Sequence, residues 1–90
     1  MNAPIVIKNV TPDHIATLLA SVEADHSNRV IQTAGLPNDY EIIGHGLQAK
    51  VSYAPDVQLL TVNVISKPWI ATMSEIRDKL VAALGSTPGA

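Results

Sequence analysis

The sequence contains no cysteine and no phenylalanine, and aromatic residues make up only 3% of its 90 residues. The absence of cysteine excludes disulfide bonds and thiolate metal sites, and it leaves the redox compartment undetermined. Hydrophobic residues nevertheless make up 47% of the chain. We therefore expect a core built from valine, isoleucine, leucine and alanine.

Charge of either sign is also scarce. Six basic and eight acidic residues give a formal net charge of −2, which argues against a nucleic-acid surface, because such a surface usually needs clustered basic residues. No apolar run approaches the roughly 20 residues that cross a bilayer, and the first residues lack the basic start of a secretory signal. We expect a cytoplasmic protein that binds neither nucleic acid nor membrane.

A β-hairpin dominates the pattern in the second half of the chain. Apolar and polar residues alternate over residues 47–53 and again over residues 60–64, which is the period of strands with one buried face. Between them, Ala54–Val57 has the proline and aspartate of a tight turn. We expect Tyr53 opposite Gln58, because this register brings the apolar residues of both strands to one face.

Two segments have the signals of capped amphipathic helices. Thr11 and Pro12 suit the N-cap and the first helical position, and apolar residues follow at helical spacing until a stop within residues 25–28. Thr72 begins a capping box, and Gly85 marks the end of the second helix.

These elements predict an α+β fold. We expect a two-layer sandwich in which an antiparallel sheet of three to four strands carries two helices on one face, in the order β-α-(β)-β-β-α. Residues 29–33 are ambiguous between a short strand and a last helical turn, and we interpret them as a strand. The length predicts one domain over residues 1–85, followed by a disordered tail over residues 86–90.

The segment Gly44-His45-Gly46 allows two interpretations. Glycines inside a strand pattern indicate a bulge or bend, which would either split one long strand or separate two. The same glycines would let a ligand approach the backbone, and His45 is the side chain there that exchanges a proton near neutral pH. We interpret the segment as a bulge with an exposed histidine, and a ligand site is the alternative.

The remaining polar motifs predict no catalytic residue, metal site or cofactor. His14, His26 and His45 are scattered along the chain and lack the spacing of metal ligands. Asp25-His26-Ser27 contains the residue types of a catalytic triad, but three consecutive side chains point in different directions.

Trp69, Leu59 and Ile65 are the apolar candidates for a contact surface. Tryptophan is common both as a lid over a small core and in interface hot spots, while Leu59 and Ile65 fall on the outer face of the predicted sheet. Our leading hypothesis is therefore a non-enzymatic protein-interaction or assembly module that binds another protein or a second copy of itself through its sheet. The alternative is a small-ligand-binding or enzyme-like domain with a site near Gly44-His45-Gly46 and Trp69.

Overall fold

The computed structural model describes residues 4–68 and 70–85. Within them the chain forms five strands and two helices in the order β-α-β-β-β-β-α. The strands are β1 (Ile5–Ile7), β2 (Arg29–Gln32), β3 (Asp39–Gly44), β4 (Leu47–Ala54) and β5 (Leu59–Ser66), and the helices are α1 (Pro12–Glu23) and α2 (Met73–Ala83). The α+β class and the antiparallel sheet are confirmed, whereas the prediction of three to four strands is wrong.

The sheet has the strand order β1-β5-β4-β3-β2, and each neighbouring pair is antiparallel. Because β1 and β2 lie at opposite edges, α1 connects the two edges of the sheet. The buried strand residues share one face and are Ile5, Ile7, Ile42, Ala49, Val51, Tyr53, Leu60 and Val62. Ile15 and Leu18 of α1 and Ile76 of α2 belong to the same buried cluster, which places both helices on this face.

The turn at Gly44-His45-Gly46 accounts for the additional strand. Gly44 pairs with Leu47, and His45 and Gly46 form the two-residue loop between them with φ angles of 52° and 78°. Positive φ at both loop residues is the requirement of a type I′ hairpin turn. The interpretation as a bulge is therefore wrong, whereas the other expectation for this segment, a bend that separates two strands, is confirmed for β3 and β4.

The β4–β5 hairpin has the predicted strands but a different register. Tyr53 pairs with Leu60, so the expected pairing with Gln58 is wrong. The turn comprises Pro55–Gln58, and Gln58 has a positive φ of 52° that removes it from the strand. Since the partner moves by an even number of residues, the apolar residues of both strands still share one face.

Both helices begin at the predicted caps. The Thr11 hydroxyl accepts the backbone N–H of His14, and His14 Nδ1 accepts the backbone N–H of Thr11 at 2.9 Å, which completes a capping box. Thr72 Oγ1 accepts the backbone N–H of Glu75 at 3.1 Å. α1 ends at Glu23, just before the stop that the sequence predicts.

A buried tyrosine attaches the segment before α1 to the sheet. Tyr53 Oη donates a hydrogen bond to the carbonyl of Val10 at 2.7 Å, and the backbone N–H of Val10 donates to the carbonyl of Gln58 at 2.9 Å. Burial raises the pKa of the Tyr53 hydroxyl, so it remains a donor near neutral pH. These bonds fix the start of α1 relative to the β4–β5 hairpin.

The structure settles one ambiguous segment, and two other predicted features fall outside it. Residues 29–33 contain β2, which confirms the interpretation as a strand. The predicted disorder of residues 86–90 and the predicted role of Trp69 lie outside the described residues.

Candidate functional site

A cleft of about 340 Å³ lies between α1, α2 and the core face of the sheet. It is found at the end of the sheet where β3 turns into β4, and Pro68 and Ala71 border it from the segment before α2. Its larger apolar lining residues are Leu18, Val22, Ile42, Leu47, Val51, Val62, Ile76 and Leu80. We refer to this space as the interhelical cleft.

Four polar residues also line the interhelical cleft. They are Ser21 of α1, Asn28 before β2, His45 of the β3–β4 turn and Lys79 of α2. Ser21, His45 and Lys79 are exposed and Asn28 is half-buried. The polar groups are therefore at the solvent side of an otherwise apolar space.

His45 is held in place by its turn and by a carboxylate. The type I′ turn fixes its backbone, and His45 Nε2 lies 2.7 Å from Asp25 Oδ2. Asp25 follows α1 closely, and its Oδ1 accepts the backbone N–H of Ser27 at 2.9 Å. The pair links the segment after α1 to the β3–β4 turn, which lies 20 residues further along the chain.

The pair also determines which nitrogen of His45 carries a proton. The backbone N–H of Ser27, followed by the His45 side chain, lowers the pKa of Asp25 below its ordinary value of 3.8, so the carboxylate is ionised at neutral pH. An ionised carboxylate only accepts hydrogen bonds. His45 Nε2 must therefore donate, which leaves Nδ1 as its second polar atom.

Asn28 connects the two strands at the edge of the cleft to α1. Its Nδ2 donates to the carbonyl of Val22 at 3.1 Å. Its side chain lies directly against Gly44, where an added Cβ would overlap Asn28 Oδ1. Position 44 is therefore occupied by a glycine beside a turn, and the Asn28 side chain takes the space that a Cβ would need.

We expect the stabilising effect of Asp25 to disappear in acid. Because the pKa of Asp25 is lowered in the folded protein, its contribution is present above the unfolded pKa and is lost as pH falls through the folded pKa. The difference in melting temperature between the wild type and Asp25→Asn should therefore narrow between about pH 5 and pH 3. Thermal unfolding followed by circular dichroism over this range measures it.

Asp56→Asn is the matched control for this measurement. Asp56 lies in the β4–β5 turn and accepts no hydrogen bond from the described residues, so Asp56→Asn removes a carboxylate without removing such a bond. A difference for Asp25→Asn that stays constant down to about pH 3 would contradict the arrangement of Asp25, Ser27 and His45.

Of the residues that the sequence suggested as contacts, His45 lines the interhelical cleft. Leu59 and Ile65 lie at opposite ends of β5, about 20 Å apart at the rise of an extended strand. They therefore do not form one patch with each other. Trp69, the remaining candidate, is outside the described residues.

Sequence reasoning missed Asp25 and Lys79 as members of this site. The sequence pattern relates Asp25 only to its neighbours, and its hydrogen bond from the Ser27 backbone belongs to a local turn rather than to a triad. Twenty residues separate it from His45, and no local pattern predicts that contact. Lys79 had a usable signal, because it lies three residues after buried Ile76 and one before Leu80 on the inner stripe of α2.

Two other kinds of site are absent from the described part of the chain. Residues 4–68 and 70–85 contain no group of three or more histidine, aspartate or glutamate side chains that could hold a metal ion. Within the same residues, neither helix has the length and apolar character needed to cross a membrane.

Comparison with known proteins gives no further guide. The chain matches none of the protein-family models, curated proteins or solved structures with which it was compared. Functional inference therefore rests on the interhelical cleft and on the side chains at its mouth.

Proposed function

We propose that this chain is a non-enzymatic binding domain and that its interhelical cleft receives a small molecule. The observation that carries the proposal is the combination of size and lining. Ligand pockets typically have volumes of roughly 300–1,000 Å³, apolar walls and a few polar groups. The interhelical cleft, at about 340 Å³, has all three properties.

Small residues on several sides support a space built for a ligand. Ala49 of β4, Ala71 before α2 and Ala83 of α2 all line the cleft. Protein interiors are normally close-packed, and larger side chains at these positions would fill the space between the helices and the sheet. The cleft therefore follows from residue choice in three different parts of the chain.

The polar groups favour binding over catalysis. His45 and Asp25 are well exposed, with 62% and 47% of their side-chain surface accessible, whereas catalytic groups usually have strongly perturbed pKa values in desolvated sites. Among the described residues, no serine or threonine hydroxyl is hydrogen-bonded to His45, so a nucleophile next to a base is absent there. His45 and Asp25 are better suited to orient a ligand group.

We expect Ala83→Leu to prevent ligand binding by filling the interhelical cleft. The substituted side chain would project from α2 into the space, since Ala83 is half-buried and lines it. In a screen of small amphipathic molecules followed by methyl NMR, the molecules that bind the wild-type protein should shift the methyl resonances of Leu18, Val22 and Leu80. Their affinity for Ala83→Leu should be at least about tenfold lower, which corresponds to about 1.4 kcal/mol.

Ala82→Leu is the matched control, because it makes the same change at the preceding residue of α2. Ala82 is exposed and does not line the cleft. Its ligand affinities should equal those of the wild type. Ligands that bind both variants with wild-type affinity would place their site elsewhere and overturn the proposal. Amide spectra of both variants verify that each is folded.

A second candidate function is self-association through the outer face of the sheet. Val6, Ile31 and Ile65 are 40%, 41% and 51% exposed, and β1 and β2 are edge strands that a second copy could extend. Ile65 also lies in an irregularity, because β5 has one residue more than β4 between the pairs Ala49–Val64 and Gln48–Ser66. A bulge changes the direction in which the side chain of the extra residue points, and Ile65 is the extra residue here.

If the outer face mediates self-association, Ile65→Lys should shift the protein towards the monomer. A lysine at this position puts a charge into the apolar contact, and its desolvation disfavours the dimer. Light scattering and native mass spectrometry across micromolar concentrations measure the change, with Val57→Lys in the β4–β5 turn as the control. A wild-type protein that is monomeric throughout this range would remove the second candidate.

A further inference from the structure

We infer that the interhelical cleft takes an aliphatic monocarboxylate, with its hydrocarbon tail among the apolar lining residues and its carboxylate beside Lys79 and His45. This inference rests on the proposed function. It adds the chemical class of the ligand and the direction in which it enters.

The ionisable lining residues of the cleft are basic in a chain whose net charge is negative. Among the described residues that line it, Lys79 and His45 are ionisable, and none is an aspartate or a glutamate. The formal net charge of the chain is −2, so the cleft departs in sign from the protein as a whole. A negatively charged group is the complement of this mouth.

Lys79 has its charge available for a ligand. Its ammonium group makes no ion pair with the described residues. Among those residues, the one ion pair joins His45 and Asp25. An ammonium donates up to three hydrogen bonds, and bonds from a charged donor to a carboxylate are stronger than neutral ones. Lys79 therefore supplies the main attraction for the head group.

His45 can supply a second donor. Its Nε2 is occupied by Asp25, and its Nδ1 makes no hydrogen bond with the described residues. A protonated imidazole donates from both ring nitrogens, so Nδ1 is the atom of His45 that can face a bound carboxylate. Asp25 is not among the lining residues and contacts the other ring nitrogen, Nε2, so a ligand carboxylate would approach His45 from the Nδ1 side.

The described walls of the cleft suit an aliphatic ligand body. The described lining residues include leucine, valine, isoleucine and alanine, and none of them is phenylalanine, tyrosine or tryptophan. Planar ligands such as nucleobases are usually held by stacking on aromatic side chains. A flexible hydrocarbon chain instead gains affinity from apolar contact alone.

The test compares octanoate, 1-octanol and octylamine, which share a tail and differ in the charge of the head group. Titration calorimetry and methyl NMR should show octanoate binding at least about tenfold more tightly than 1-octanol, and octylamine most weakly. Within the saturated carboxylates, each methylene added from butanoate to octanoate should strengthen binding roughly fourfold.

Variants assign the preference to named residues. Lys79→Gln should weaken octanoate binding about tenfold and leave 1-octanol unchanged, since it removes the charge and retains most of the stem. Lys50→Gln is the matched control, because Lys50 is exposed on the opposite face of the sheet and its loss changes the net charge equally. His45→Asn should weaken octanoate binding several-fold, and asparagine tolerates the positive φ of this turn position.

The outcomes separate this inference from the proposed function. Tighter binding of octanoate that is lost in both Lys79→Gln and Ala83→Leu supports both. If 1-octanol binds as tightly as octanoate and only Ala83→Leu removes it, the cleft is a site for neutral apolar molecules, and the inference is overturned while the proposed function stands. If none of the three probes shifts the methyl groups of the cleft at millimolar concentration, both are overturned.

Discussion

Leu60→Ala should destabilise the protein by about 3 kcal/mol and lower its melting temperature by roughly 12–24 °C. Leu60 is fully buried in β5, between Ile7 of β1 and Tyr53 of β4. Truncation removes apolar surface from the core and leaves a cavity that a sheet paired on both sides cannot easily close. Thermal and urea denaturation followed by circular dichroism measure the loss.

Leu59→Ala provides the control, because it is the same change at the preceding residue of the same strand. Leu59 is half-buried and has the opposite orientation, so we expect a loss of about 1 kcal/mol or less. The contrast between the two leucines tests the assignment of faces directly. Equal destabilisation by the two substitutions would mean that the sheet does not have a single core face.

That single core face is the part of the fold that the sequence predicts well. The alternation of apolar and polar residues over residues 47–53 and 60–64 identifies β4 and β5, and threonine caps locate the starts of both helices. Each of these signals depends on residues within one turn of helix or one strand. Local periodicity and capping are therefore sufficient to find the elements and their inner faces.

The errors in the fold arise at turns. His45 and Gln58 both adopt positive φ, which for residues other than glycine is uncommon and has no strong sequence signal. His45 converts an expected bulge into a hairpin turn and adds a strand. Gln58 lengthens the β4–β5 turn and shifts the register, but the shift is even, so the face assignment survives.

The candidate site was predictable only in part, since its polar residues come from four separate segments. His45 was recognisable from its flanking glycines. Its contact with Asp25 depends on the path of α1 across the sheet, and the position of Lys79 depends on how α2 lies against the same face. Leu59 and Ile65 share an outer face but not one end of the strand, and strand length separates them.

Gly44→Ala should destabilise the protein by about 1–3 kcal/mol, although Gly44 lies in a strand, where alanine is ordinarily tolerated. Its added Cβ would overlap the Asn28 side chain and approach Asn28 Cα to 3.0 Å. Asn28 can move away only by giving up its hydrogen bond to the carbonyl of Val22. Urea denaturation of the purified variant measures the loss.

A double-mutant cycle with Asn28→Ala tests the cause of this loss. In the Asn28→Ala background, two of the three close contacts of the added Cβ disappear and the contact with Asn28 Cα remains. Gly44→Ala should therefore destabilise that background by about 1 kcal/mol less than it destabilises the wild type. Gly35→Ala is the control for general glycine effects, because an added Cβ at Gly35 meets nothing within 4 Å and only the φ of 77° opposes it.

The same cycle bears on the interhelical cleft, because Gly44 and Asn28 both line it. Asn28 contacts Gly44 of β3 and donates a hydrogen bond to Val22 of α1. If these contacts hold β3 against α1, Gly44→Ala should also shift the methyl resonances of Val22 and Leu18, while Gly35→Ala leaves them unchanged. An equal loss of unfolding free energy on Gly44→Ala in both backgrounds would contradict this role of Asn28. The edge of the cleft would then be set by the β3–β4 turn alone.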